Sequence, residues 1–196
     1  MYMLKRYAIA AIPKSTKMFY FLLFFFVAGV SIGASSGDRE VLQKLVDAYT
    51  SVQGSVLAAD NFFRSLSADT ALLFAVFLLG FSSVSAPALL VIPLFKGLGV
   101  GAAACALYLS ASSFFDGVKL FLGFSVTASV SALVLILASQ AALKFSVGAF
   151  SHLRGRCEDF DLVSEGKKFG LKFLLFAVII VINAVLDTLL SVLLSM

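Results

Sequence analysis

Two polar residues near the C-terminal end of the sequence are spaced to act together. Asn183 and Asp187 are four residues apart, so a helix places them on one face. Their neighbours are apolar, and an ionisable side chain inside a membrane span is unfavourable unless it is paired or hydrated. One chemistry that fits is the handling of a proton or an ion. The alternative is structural: a clamp to Ser, Thr or Gln140 on the preceding apolar segment, or a position near the outer headgroups.

The other residues that carry reactive groups form no known catalytic pattern. The sequence contains no GxSxG, HExxH, P-loop or GxGxxG motif, and its one histidine, His152, is expected in a solvated loop. Cys105 is expected to fill space in a helix, whereas Cys157 is a candidate for lipidation or a reduced cytosolic thiol. The sequence therefore predicts a protein that is not an enzyme and binds no cofactor or metal.

The composition identifies the solvent around these residues. Of 196 residues, 61% are hydrophobic and 13% are charged, and the mean hydropathy is +1.04. An average soluble domain has about 45–50% apolar and about 25% charged residues. So few charges cannot cover that much apolar surface, which predicts a polytopic, all-α bundle in a lipid bilayer.

Apolar runs long enough to cross a bilayer predict five transmembrane helices. The first covers residues 18–34 and carries no charge. Residues 70–115 are too long for one crossing and long enough for two. The last two crossings are expected at residues 124–147 and 169–196, so that residues 70–196 form the main bundle.

The reversal within residues 70–115 has two possible positions. We expect it at residues 93–97, because Pro93 limits the preceding helix, Gly97 permits a reversal and Lys96 would then reach the cytoplasmic face. In that arrangement Pro87 kinks a helix. The alternative is a break at residues 82–87.

The distribution of basic residues predicts the orientation. Eleven of the 15 Lys and Arg residues, Lys96 included, fall on the side that holds residues 1–17 and the loop 148–168, which makes that side cytoplasmic. The basic excess thus records topology, and no nucleic-acid partner is expected. A cleaved signal peptide ending near Ala34 is the alternative for the first span.

Residues 35–69 then lie outside the cell and show apolar residues at helical spacing. Such a face either docks an extracytoplasmic partner or lies on the bilayer or the bundle. The candidate docking residues are Val41, Leu42, Leu45, Val46, Tyr49, Phe62 and Phe63. Residues 113–123 are expected to form a short amphipathic connector at the same interface.

Small residues at four-residue spacing predict close helix contacts, within the chain or with a partner such as a second copy. The candidate packing residues are Gly29, Gly33, Gly80, Pro87, Lys96, Gly97 and Gly101.

Several short segments together resemble the stage II sporulation protein M family. They are AGVSIGA at residues 28–34, LGFSS at 79–83 with Pro87 downstream, FKGLGVG at 95–101 and INAVLD at 182–187. Their order and spacing cover most of the chain. The fourth span departs from the family, whose members often carry proline there.

The resemblance implies a multi-pass protein of the bacterial cytoplasmic membrane. It also implies a scaffold that recruits peptidoglycan-remodelling enzymes, such as stage II sporulation proteins D and P, for forespore engulfment. The rival hypothesis is a membrane subunit of a permease or exporter. There Gln140, Asn183 and Asp187 would line a polar path, and the loop 148–168 would contact an energising protein.

Overall fold

The chain folds into an all-α bundle. The structure, a computed structural model, describes residues 15–35, 58–82, 86–110, 114–153 and 161–195. Those ranges hold five helices: α1 (Ser15–Ser35), α2 (Ala58–Gly80), α3 (Ala86–Ser110), α4 (Phe114–Leu153) and α5 (Leu162–Ser195). The predicted all-α fold is confirmed over this part of the chain, whereas the prediction that five helices cross the membrane is met by four of them.

Four of these helices, α1, α3, α4 and α5, are long and apolar enough to cross a membrane. The chain is therefore a polytopic membrane protein. The apolar part of α2 is shorter and covers Leu66–Gly80. At about 1.5 Å per residue this part spans roughly 22 Å, less than the roughly 30 Å of a typical hydrocarbon core.

The reversal expected at residues 93–97 is wrong. Helix α3 runs without interruption through Pro93, Lys96 and Gly97, and the chain turns after Gly80, at the alternative position. A helix can carry these residues because neighbouring helices compensate for Pro within a membrane bundle and because a protein group neutralises Lys96, as described below. Pro87 does not kink a helix. It lies in the first turn of α3, where its missing N–H leaves no bond unmade.

Other boundaries also differ from those expected. Helix α2 passes through the predicted division between residues 69 and 70. The connector at residues 113–123 is not a separate element, because α4 begins at Phe114 and continues for 40 residues, about 60 Å. Helix α4 extends to Leu153 and α5 begins at Leu162, so helix occupies much of the predicted loop 148–168.

Helices α1 and α3 pack backbone to backbone through their glycines. A Cβ atom on Gly29 would collide with the carbonyl oxygen of Leu94, and one on Gly33 with that of Leu98. In the reverse direction, Gly97 lies against the Phe26 carbonyl. Residue numbers rise together on the two helices, so α1 and α3 run parallel. The contact requires glycine because any side chain would separate the backbones.

Helix α4 occupies the centre of the bundle and packs against the other four helices. At one end it meets α2 and α5 in a cluster of aromatic rings. The ring of Phe169 stacks on Phe145 at 4.6 Å and on Phe77 at 5.6 Å between centroids. Gly80 admits this ring, since a Cβ there would lie 2.6 Å from the Phe169 Cζ atom. The aromatic cluster thereby ties the end of α2 to α4 and α5.

Candidate functional site

Most of the predicted docking surface lies outside the residues that the structure describes, namely Val41, Leu42, Leu45, Val46 and Tyr49. The other two predicted residues are in α2. Phe62 is partly buried, whereas Phe63 is 65% exposed. Phe63 therefore provides an apolar, accessible side chain near the beginning of α2.

A buried ion pair joins α2 to α3. The Lys96 Nζ atom lies 2.5 Å from Asp69 Oδ1, and the two side chains are only 6% and 12% exposed. The predicted position of Lys96 at the cytoplasmic face is wrong, because its side chain lies inside the bundle. Lys96 therefore gives no support to the predicted orientation. Removing one partner of such a pair leaves an uncompensated buried charge, so each residue depends strongly on the other.

Asp69 was not among the predicted site residues, because it falls within the predicted outer segment, residues 35–69. The two charges are nevertheless placed symmetrically about the true turn, with Asp69 eleven residues before Gly80 and Lys96 ten residues after Ala86. Both therefore lie about 15–17 Å along their helices from the turn. Once the turn is placed after Gly80, this equal spacing is the signal that identifies the pair.

A second polar cluster lies between α4 and α5. The Thr127 hydroxyl donates a hydrogen bond to Asp187 Oδ1 at 2.9 Å, and the Asn183 amide Nδ2 donates to the Thr127 backbone carbonyl at 3.1 Å. Thr127 and Asn183 are buried, whereas Asp187 is partly exposed. The structure thus brings Asn183 and Asp187 to a threonine of the preceding helix.

Gln140 is not part of this cluster. It is buried on α4, 13 residues beyond Thr127, which separates the two along the helix by about 20 Å. The predicted grouping of Gln140 with Asn183 and Asp187 is therefore not found at one site.

The Thr127 hydroxyl has two possible acceptors, and Asn183 has one side-chain oxygen that accepts no hydrogen bond from the described residues. The Thr127 hydroxyl lies 2.9 Å from Asp187 Oδ1 and 3.2 Å from the Phe124 carbonyl oxygen, but it carries one hydrogen. The Asn183 Oδ1 atom is buried and has no hydrogen-bond partner in the part of the chain that the structure describes. Such an orphaned acceptor is unusual in a protein interior.

The remaining candidates for chemistry lie apart from both polar sites. His152 belongs to the last turn of α4, not to a loop, and is partly buried. Cys105 is a partly buried free thiol in α3, and Cys157 lies outside the described residues. Within the described ranges, no three side chains of His, Cys, Asp or Glu converge.

No protein-family model, curated protein or solved structure matches this chain. The described ranges form a polytopic membrane protein with four helices able to cross a bilayer. The features that bear on function are the ion pair, the polar cluster and the exposed Phe63 of α2.

Proposed function

We propose that this chain is a non-catalytic membrane scaffold of the stage II sporulation protein M type. In this proposal it resides in the bacterial cytoplasmic membrane and anchors peptidoglycan-remodelling enzymes, such as stage II sporulation proteins D and P. The family assignment depends on the sequence segments described above. The structural observation that supports a scaffold is the buried ion pair of α2, because a scaffold must present its docking surface from a fixed position.

Three contacts fix α2 along its length. Asp69 pairs with Lys96 of α3. Gly80 lies under the Phe169 ring, and the Ser146 hydroxyl of α4 donates to the Ser82 carbonyl at 2.8 Å just beyond the helix end. These contacts hold α2 at its middle and at one end, and Phe63 near the beginning of the helix is exposed and can meet a partner.

The exposed end of α2 has the chemistry of a docking surface. Phe63 lies six residues before Asp69, about 9 Å along the helix from the ion pair. A large aromatic side chain on a rigid support is a typical anchor for a protein partner. In the proposed orientation this end faces the extracytoplasmic space, where peptidoglycan is remodelled.

The test is affinity isolation of the tagged, full-length protein from gently solubilised native membranes, followed by mass spectrometry. We expect secreted or single-span peptidoglycan hydrolases to be recovered. Phe63→Asp should reduce this recovery, and so should the paired substitution of Val46 and Tyr49 by Asp. Recovery of an ATPase or permease subunits without any wall enzyme would overturn the scaffold proposal.

A matched control is available at the beginning of α4. Phe115 is 78% exposed, comparable to the 65% of Phe63, and does not belong to α2. Phe115→Asp introduces the same charge on another helix, so it should leave recovery of the hydrolases unchanged. Equal losses with Phe63→Asp and Phe115→Asp would show that the charge disturbs membrane insertion and that Phe63 is not a docking residue.

One observation favours the second candidate function, a permease or exporter subunit. Asp187 is partly exposed, and Thr127 joins it to Asn183, whose buried Oδ1 atom has no hydrogen-bond partner within the described residues. A polar site of this kind is what a transported species uses. Asp187→Asn tests this function. Normal abundance with lost function would support transport, whereas normal function would exclude coupling through this carboxyl group.

A further inference from the structure

We infer that Thr127, Asn183 and Asp187 form a binding site for a monovalent metal cation of the Na⁺ class. The inference deepens the second candidate function by naming a ligand for the same residues. It does not require transport, because a cation bound between α4 and α5 would also stabilise a scaffold. Its test is equilibrium binding to the isolated protein, which is independent of partner recovery and of transport.

The orientation of the Asn183 amide is determined by its neighbour. A backbone carbonyl oxygen only accepts hydrogen bonds, so the amide must direct its Nδ2 atom at the Thr127 carbonyl, 3.1 Å away. The other amide atom, Oδ1, is then an acceptor. It is buried in a residue that is 4% exposed, and none of the described residues forms a hydrogen bond with it. A bound species that attracts an oxygen lone pair would relieve this unfavourable state.

The Thr127 hydroxyl oxygen is a second atom that can bind a cation. Its single hydroxyl hydrogen serves one acceptor at a time, either Asp187 Oδ1 or the Phe124 carbonyl. The Phe124 carbonyl also accepts the helical N–H of residue 128, so it is satisfied without the hydroxyl. Asp187 is therefore the better recipient, and the lone pairs of the Thr127 oxygen remain free to bind a cation.

The donor set and the charge favour a monovalent metal ion. Carboxylate, amide and hydroxyl oxygens are hard ligands, which suit alkali and alkaline-earth cations. The three residues contribute one negative charge, so a monovalent ion makes the site neutral. A divalent ion would leave a net charge within an apolar bundle, which is unfavourable.

Access and location agree with this assignment. Thr127 is 3% exposed and Asn183 is 4% exposed, whereas Asp187 is partly exposed. Residues 127 and 187 lie 18 residues along α4 and α5 from the stacked pair Phe145 and Phe169, about 27 Å away. The site is therefore near the opposite end of the bundle from the aromatic cluster.

The experiment measures thermal unfolding of the purified, full-length protein in detergent. The protein is titrated with LiCl, NaCl and KCl, and choline chloride keeps the ionic strength constant. We expect at least one alkali cation to raise the Tm saturably above the value in choline, because a ligand that binds only the folded state stabilises it. Binding of radioactive ²²Na⁺ to the same preparation gives a direct readout.

Matched variants connect the effect to the site. Asp187→Asn should abolish the saturable rise in Tm, and Thr127→Val should weaken cation affinity at least tenfold. Thr127→Ser retains the hydroxyl and should preserve the effect. Ser146→Ala removes another interhelical hydroxyl hydrogen bond, at the far end of α4, and should also leave the cation effect intact.

Several outcomes would overturn the inference. One is equal Tm values in choline and in all three alkali salts, since a water or a proton would then satisfy the oxygens. Another is a stronger response to Ca²⁺ or Mg²⁺ than to the alkali cations. If Asp187→Asn does not yield folded protein, the comparison of Thr127→Val with Thr127→Ser decides: the same cation response in both variants would contradict the inference.

Discussion

Two of the buried polar sites among the described residues accommodate a carboxylate in different ways. At the junction of α2 and α3, Lys96 supplies a positive charge 2.5 Å from Asp69, and both side chains are almost fully buried. At the junction of α4 and α5, Asp187 receives a neutral hydroxyl from Thr127 and stays partly exposed. The first site is internally neutral. The second has one carboxyl group and an orphaned amide oxygen, so it is chemically incomplete.

This difference indicates that the ion pair stabilises the fold, whereas the polar cluster can bind a ligand. A site whose charges cancel within the chain holds helices together and offers nothing to a ligand. A site with an unsatisfied oxygen acceptor and a partly exposed carboxyl group has a binding capacity that the described residues do not use. We therefore expect substitutions at the ion pair to affect folding, and substitutions at the polar cluster to affect the response to cations.

The largest effect is expected from Lys96→Ala. This change leaves Asp69 buried without a counter-charge, and loss of one partner of a buried pair destabilises a protein by about 3–5 kcal/mol. The folded fraction recovered by size-exclusion chromatography should fall sharply. The double variant Asp69→Leu with Lys96→Met removes both charges and should restore most of the folded protein. Full stability of Lys96→Ala alone would show that the pair is not structural.

Gly97→Ala, one residue further along α3, is expected to cause a smaller loss of stability. The new methyl group would collide with the Phe26 carbonyl and push α1 away from the helix that carries Lys96. Overpacking of this kind destabilises by about 1–3 kcal/mol. The Tm of purified protein in detergent measures the change, and it should decrease.

Gly170→Ala is the control for that substitution. A Cβ atom at Gly170 meets nothing within 4 Å, and the residue lies inside α5. Replacing glycine by alanine in an open helical position stabilises by about 0.5–1 kcal/mol. The same change should therefore lower the Tm at residue 97 and raise it at residue 170. Equal shifts at the two positions would refute the tight contact between α1 and α3.

Substitutions in the polar cluster should reduce the stability of the protein less than Lys96→Ala does. Asp187→Asn still offers an oxygen to the Thr127 hydroxyl, and interhelical hydrogen bonds in membrane proteins contribute about 0.6 kcal/mol on average. Measured in choline chloride, the Tm of this variant should be close to that of the wild type. A loss as large as that of Lys96→Ala would mean that the cluster is structural in the same sense as the ion pair.

The smallest change in stability is expected at an ion pair that is more exposed than Lys96 and Asp69. Lys168 Nζ lies 2.7 Å from Glu165 Oε1 on the first turns of α5, and their side chains are 62% and 43% exposed. Exposed pairs contribute little because water already solvates both charges. Glu165→Gln should leave the Tm unchanged within error. A shift comparable to that of Lys96→Ala would show that burial does not distinguish the two pairs.

Much of the fold could be predicted because its causes are local. Long apolar runs require helices, since backbone groups within a bilayer must be hydrogen-bonded inside their own segment. The four-residue spacing of Asn183 and Asp187 placed both on one helix face, where the structure has them facing α4. The small-residue spacings marked the glycines, but they did not identify α1 and α3 as partners.

The misplaced turn and the missed ion pair share one cause, because the sequence shows each charge without its partner. Lys96 suggested a turn at the membrane surface because a lone lysine is costly inside a bilayer. Its partner Asp69 is 27 residues earlier in the chain. Only the packing of α2 on α3 removes the cost, and it thereby allows α3 to continue through Pro93 and Gly97.

The sequence by itself determined the solvent, the helical class and the residues able to carry a charge or a polar contact, because composition and periodicity are sums over local properties. Only the tertiary structure decided which of these residues meet. Asp69 was neutralised by a lysine, whereas Asp187 met a hydroxyl and an amide that leave oxygens unsatisfied. The energy of a buried polar group depends on what touches it, and those contacts exist only after the helices have packed.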